Sequence, residues 1–249
     1  MSFLATTLGT FAVHEAGWLA SNLPYLVAAD RGWWEAYKVV RVGKAREPGS
    51  DERWALFWTI LGDHFKMMLP LLALAYYPLL AHLFTADAMP SWLEALAAFV
   101  LFNVVEDTLF YWVHYALHVP RLYKAIHRKH HEHVVTFSLT GEVSHPLEFL
   151  ANILVPLMAG PVLLVLAYRK VHLVEFWVWI VFRTMRGADA HSGYQLPFHP
   201  LRLLSPIYGG PAYHDHHHSI RGRQTNFGGY RFWDWLCGTY SPGPAAKAA

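Results

Sequence analysis

Long apolar runs alternate with polar stretches along this chain. Residues 1–30 are apolar but interrupted by His14, Glu15, Asn22 and Pro24, a pattern that predicts a short helix lying in or on a membrane. No basic stretch precedes a clean apolar core there, so a cleaved leader is not expected. Residues 31–66 are polar and carry Arg31, Lys38, Arg41, Lys44, Arg46, Arg53 and Lys66. Residues 67–84, MMLPLLALAYYPLLAHLF, form the first uncharged run approaching the length of a membrane span, with Pro70 and Pro78 as candidate kinks. After a turn at Asp87 to Pro90, Ser91 and Glu94 make an S-x-x-E capping box, a helix start signal. A helix from Trp92 to His118 would be about 40 Å long against roughly 30 Å of hydrocarbon. Its last turns, with His114 and His118, should therefore emerge from the bilayer. Residues 149–168 make a third run, and residues 171–188 a fourth that contains Glu175, Arg183 and Arg186.

This pattern predicts an all-α membrane protein with four transmembrane helices in two hairpins, capped by a cytosolic helical layer. Its expected segments are an interfacial and cytosolic stretch 1–66, a first hairpin 67–118, a cytosolic histidine segment 119–148, a second hairpin 149–188 and a cytosolic segment 189–249. The short hairpin tips hold two of the 20 Lys and Arg residues, leaving the rest on the other side. The positive-inside rule makes that side cytoplasmic. Composition agrees: 54% of residues are hydrophobic and 15% charged, with 11 Trp and 13 Tyr suited to membrane interfaces. A formal net charge of +2 gives no reason to expect a nucleic-acid partner. The single Cys237 excludes an internal disulfide and a cysteine-based zinc or iron–sulfur site. Any metal must be held by nitrogen, with or without oxygen.

Nitrogen is abundant on the cytoplasmic side. His114 and His118 are four residues apart; His127, His130 and His131 follow, and His214, His217 and His218 repeat the same H-x-x-H-H spacing. On a helix, residues three and four apart share a face, and neutral imidazole binds zinc, copper, iron and nickel. Eight such rings suggest two metals. Asp107 lies on the face of His114 and is the expected carboxylate partner of that ring, and Asp215 is available to orient the later group. Each group has a bland reading: histidines at a membrane interface, a basic patch for anionic lipid heads around Lys124, Arg128 and Lys129, or a metal-scavenging loop. Their joint recurrence on one side favours the metal reading. His145 and His191 stand at the cytoplasmic ends of the third and fourth runs, where the groups converge. His216 lies off the shared face, His133 and His199 lack helical spacing to a group, and His14, His64, His82 and His172 read as structural.

The set HYALH, LYKAIHRKHH, SHPLE, HSGYQLP, YGGPAYHDHHH and NFGGYRFWDWLCGT resembles the fatty acid hydroxylase superfamily of membrane di-iron enzymes, and most of all its sterol C-4 methyl oxidases. The similarity runs from about Asp107 to Thr239, with weaker likeness upstream from about Trp34. The resemblance implies two irons held by His114, His118, His127, His130, His131, His145, His191, His214, His217 and His218. It implies O2-dependent oxidation of a sterol or other membrane lipid, with NAD(P)H electrons delivered by a separate carrier such as cytochrome b5. Residence would be the endoplasmic reticulum in a eukaryote or the inner membrane in a bacterium. Val134 to Phe137 and GEVSHP depart from the usual pattern of the methyl oxidases, which leaves the exact sterol open. A sterol desaturase or another lipid hydroxylase is the alternative. A histidine-rich metal transporter is a more distant one, since the first run offers only His82 and the third only Asn152 as a polar path. Imidazole donors also accept zinc, so purified material can carry zinc in an iron site.

Overall fold

The computed structural model describes residues 2–41 and 46–243; Lys44 and the end of the Ala/Pro/Gly-rich tail lie outside them. Helix α1 is Thr10–Arg31, preceded by a wide turn at Leu4–Gly9 and ended by Gly32, whose φ of 64° lets it take the left-handed cap conformation. The short surface helix expected for residues 1–30 is instead 22 residues long and packs along a later helix, α6 (Leu173–His191). Small residues make that approach possible. A Cβ on Gly17 would lie 3.1 Å from Val181, and one on Gly9 would lie 2.9 Å from the Trp177 ring.

Helix α2 runs Ser50–Leu83. Pro70 and Pro78 have no N–H to donate, and the helix absorbs them in wide π-type turns at His64–Met68 and Leu72–Tyr76 rather than breaking. Helix α3 is Trp92–Leu117, started by the predicted box: Ser91 Oγ accepts from the Glu94 N–H while Glu94 accepts from the Ser91 N–H. A short α4, Pro120–Ala125, leads to a 3₁₀ turn at His127–Glu132 and a second at Ser138–Glu142. Helix α5, Pro146–Ala167, begins with Pro146 in its first turn, as anticipated. After α6 come α7, Gly210–His218, and α8, Phe232–Cys237.

The segment that follows α2 meets the one that precedes α6. Strand β1, Phe84–Thr85, pairs in parallel with β2, Val171–His172. Above this clasp, Phe102, Phe176, Trp179 and Met158 form a buried core between α3, α5 and α6. Gly160 of α5 sits against α3 so closely that a Cβ there would be 2.7 Å from the Phe102 Cα. A second core joins Trp18 and Leu26 of α1 to Phe57 and Ile60 of α2 and to Phe137 and Leu139.

Two helices, α2 and α5, are long and apolar enough to cross a membrane. The other two expected spans carry buried charge in their halves nearer the histidines. Glu106 of α3 is fully buried and accepts from Arg183 Nε (2.5 Å) and from Arg186 of α6. Removing one member of such a buried pair leaves an uncompensated charge, a cost of about 3–5 kcal/mol. This network fixes α3 to α6 just below the histidines.

Candidate dimetal centre

The histidines are brought together by four separate segments. His114 lies in the last turn of α3 and His118 caps it; His191 ends α6; His127, His130 and His131 come from the first 3₁₀ turn; His214, His217 and His218 come from α7. All nine are buried. Their ring nitrogens fall into two groups, His114, His118, His127, His131 and His217 in the first, His130, His191, His214 and His218 in the second. The groups abut, with the His131 and His218 rings stacked at 4.5 Å between centroids.

The first H-x-x-H-H segment is 3₁₀ rather than α-helical, so His127 and His130 lie nearly one above the other. Neither H-x-x-H-H segment serves one group. His127 and His131 go to the first group and His130 to the second, while His214 and His218 go to the second and His217 to the first.

Ring orientation decides what the groups can hold. His130 Nδ1–H donates to the Val143 carbonyl (3.1 Å) and His191 Nδ1–H to the Gly187 carbonyl (3.0 Å). Each neutral ring therefore turns a bare lone pair inward from Nε2, yet those two nitrogens are 3.4 Å apart. His214 Nε2 stands 2.9 Å from that of His191 and 3.2 Å from that of His218. In the first group, His114 Nδ1–H donates to the Phe227 carbonyl (2.7 Å), and its Nε2 is 3.1 Å from that of His127. His217 Nδ1–H donates to the Thr225 carbonyl (2.6 Å). Its Nε2, both ring nitrogens of His118 and Nδ1 of His131 are buried without a hydrogen-bond partner among the described residues.

Protonation does not relieve this crowding. Burial pushes His130 down to about 4 and pushes His127, His131, His214, His217 and His218 below the ordinary histidine range, with neighbouring rings adding to the effect. Inward lone pairs about 3 Å apart are what a cation bound at roughly 2.0–2.1 Å from each nitrogen requires. The donor set fits two metal ions held by imidazole.

Of the ten histidines expected to hold metal, His145 is left outside both groups. Its Nδ1 accepts from the Leu147 N–H (3.1 Å), which makes it the cap of α5. Neither acidic residue orients a ring. Asp107 accepts from the Gly229 and Tyr230 N–H groups (2.9 Å each), holding the loop whose Phe227 carbonyl meets His114. Asp215 accepts from Arg41 Nε and the Thr136 hydroxyl (2.8 Å each). The carboxylate that does reach a ring is Glu148, buried and 2.8 Å from His127 Nδ1. It stands three residues after His145 in SHPLE, and only its place in the first turn of α5 marked it. His216 bonds Ser241 instead, and His199 caps the turn after it beside Asp189.

A helical chain with two abutting all-imidazole groups where α3, α6 and α7 converge is the framework of a histidine-rich dimetal protein. Residues 99–239 match the fatty acid hydroxylase family, and the chain belongs to it. It is 34% identical to methylsterol monooxygenase 2-2 of Arabidopsis thaliana, over 95% of this chain and 86% of that one. It is 35% identical to methylsterol monooxygenase erg25A of Aspergillus fumigatus, over 98% of this chain and 79% of that one. A very-long-chain aldehyde decarbonylase of Oryza sativa subsp. indica is 35% identical, over 95% and 85% respectively. No solved structure matches.

Proposed function

We propose that this chain is a membrane-embedded, two-iron oxygenase that oxidises a methyl group of a sterol, at carbon 4 in the reading taken here. The observation that carries the proposal is the pair of abutting histidine groups, in a chain whose relatives include methylsterol monooxygenases. The nine converged histidines would hold the ions, with Glu148 and the carbonyls of Phe227, Val143, Gly187 and Thr225 orienting the rings. Bound iron supplies O2 activation for attack on an unreactive C–H bond. The protein's own contribution is to hold neutral imidazoles in a dry site and to position the methyl carbon, since a small displacement costs much of the rate.

In this reading α2, α3, α5 and α6 all enter the bilayer and the histidines sit on its cytoplasmic side. Support comes from the outer stripe of α3, where Leu93, Leu96, Val100 and Val104 are more than half exposed at helical spacing. Lipid would cover that stripe, and a sterol could reach the site from the same medium. Electrons would come from NAD(P)H through a separate carrier such as cytochrome b5. The membrane would be the endoplasmic reticulum in a eukaryote or the inner membrane in a bacterium.

A second reading, cleavage of a long-chain aldehyde, is favoured by the rice relative. Iron-loaded protein in lipid nanodiscs, given O2, a reductant and either a 4-methylsterol or a long-chain aldehyde, separates the two by mass spectrometry of the products. Oxidised sterol is the expected product. Hydrocarbon from the aldehyde, with the sterol untouched, would replace the first reading with the second.

A further inference from the structure

Apart from the nine histidines, a third cluster of metal-binding groups lies where α1 meets the first wide turn of α2. His14 and Glu15 belong to α1, and His64 opens that turn. His14 Nδ1 is 2.9 Å from Glu15 Oε1, and His64 Nδ1 is 3.0 Å from the same oxygen. The three donor atoms lie within 4.8 Å of one another, the same clustering shown by the two histidine groups. On its other side His64 Nε2 is 2.9 Å from Glu142 Oε2. Glu15 and His64 are 9% and 5% exposed, and Trp18 packs its ring edge on His64.

Charge balance separates two interpretations. An ion network balanced in charge needs protons on both His14 and His64, which sets two like charges against one carboxylate oxygen of Glu15, while Glu142 stands exposed at the rim. Two carboxylates and two neutral imidazoles balance one divalent cation completely. His64 also has the arrangement of a metal-binding ring, with one nitrogen facing the cluster and the other held by a carboxylate.

We propose that His14, Glu15 and His64 form a third site for a single divalent cation, with Glu142 orienting His64. Two imidazole nitrogens and a carboxylate oxygen suit zinc. The site would brace the neighbouring centre. Glu142 ends the Ser138–Glu142 turn, in which Gly141 lies so close to His191 that a Cβ would be 2.8 Å from its Nδ1. The next residue, Val143, supplies the carbonyl that accepts from His130.

The test uses the full chain purified in detergent, stripped with a chelator, refilled with Zn2+, desalted and counted for metal by mass spectrometry. Glu15→Gln and His64→Gln should each bind one zinc fewer per chain than the unsubstituted protein. His14→Ala, which removes a ring hydrogen-bonded to Glu15 and not, among the described residues, to the Ser138–Glu142 turn, should lose one and no more. Zinc content equal to the unsubstituted protein in His14→Ala and Glu15→Gln would overturn the proposal and leave a self-contained ion network. The difference between proteins carries the result, so it is independent of whether the chain oxidises sterols.

Discussion

The two H-x-x-H-H segments have the same spacing and different backbones, one a 3₁₀ turn at His127–Glu132 and the other the α-helix Gly210–His218. They nonetheless divide in the same way. In each, the first and last histidines point to one group and the middle one crosses to the other. The crossing rings, His130 and His217, are also alike in giving Nδ1–H to a backbone carbonyl from a loop, Val143 in one case and Thr225 in the other. The repeated spacing thus builds a shared wall, in which each segment contributes to both sites. A segment that served one metal alone would leave the two sites independent; this arrangement couples them.

The sharpest way to break the comparison is to remove histidines in pairs. His127→Ala with His217→Ala strikes one group from two segments, and should cost one metal while leaving the second group filled. His127→Ala with His130→Ala strikes both groups from one segment, and should cost both metals. Either pair should reduce oxidation sharply, and metal counting distinguishes them. The reverse order, more metal lost from His127→Ala with His217→Ala than from the other pair, would mean that the segments, not the groups, are the units.

Glu148→Gln tests whether a carboxylate behind one ring matters as the carbonyls do. Loss of such a partner lowers metal affinity by about 10–100-fold. A competition titration with a chelator should show that loss for the first group alone, with the fold unchanged.

Acid provides a test of both segments together. In the unfolded chain histidine titrates near its ordinary value, about 6.5, whereas burial holds folded His130 down to about 4. Between these values the unfolded chain takes up a proton that the folded ring refuses. Metal-free protein should therefore keep its stability at pH 7 and lose it progressively from about pH 6.5 toward 4, by up to about 1.4 kcal/mol per pH unit for each such ring. Thermal unfolding across that range is the measurement, and a flat profile would contradict the buried, neutral rings. The smallest expected effect lies outside both segments. Gly160→Ala forces a Cβ against the Phe102 backbone and should cost about 1–3 kcal/mol while leaving metal content unchanged.

Much of this organisation was legible in the sequence, because it rests on local rules. The Ser91–Glu94 box set the start of α3, Pro146 the start of α5, and spacing alone picked out the three histidine segments. What could not be read depends on pairings distant in the chain. Asp107 shares a helical face with His114, yet it is taken by N–H groups more than a hundred residues away. That loop needed an acceptor more than His114 did, since the Phe227 carbonyl already met the ring. His145 differs, since its pairing is local: the Leu147 N–H two residues on takes its Nδ1 at the start of α5, and its ring lies outside both groups. His14 and His64 read as structural, since they are about fifty residues apart with no shared spacing, and only the fold brings them together.

The crossed wall has a consequence for timing during synthesis. Four of the five histidines of the first group are made by residue 131, whereas three of the four in the second lie at or beyond residue 191. A growing chain therefore presents one nearly finished nitrogen pocket long before the other exists. Whichever ion is most available to the nascent chain has the first opportunity to occupy it. Only when α7 arrives does His217 complete the first pocket, while His214 and His218 close the second and fix that choice in place.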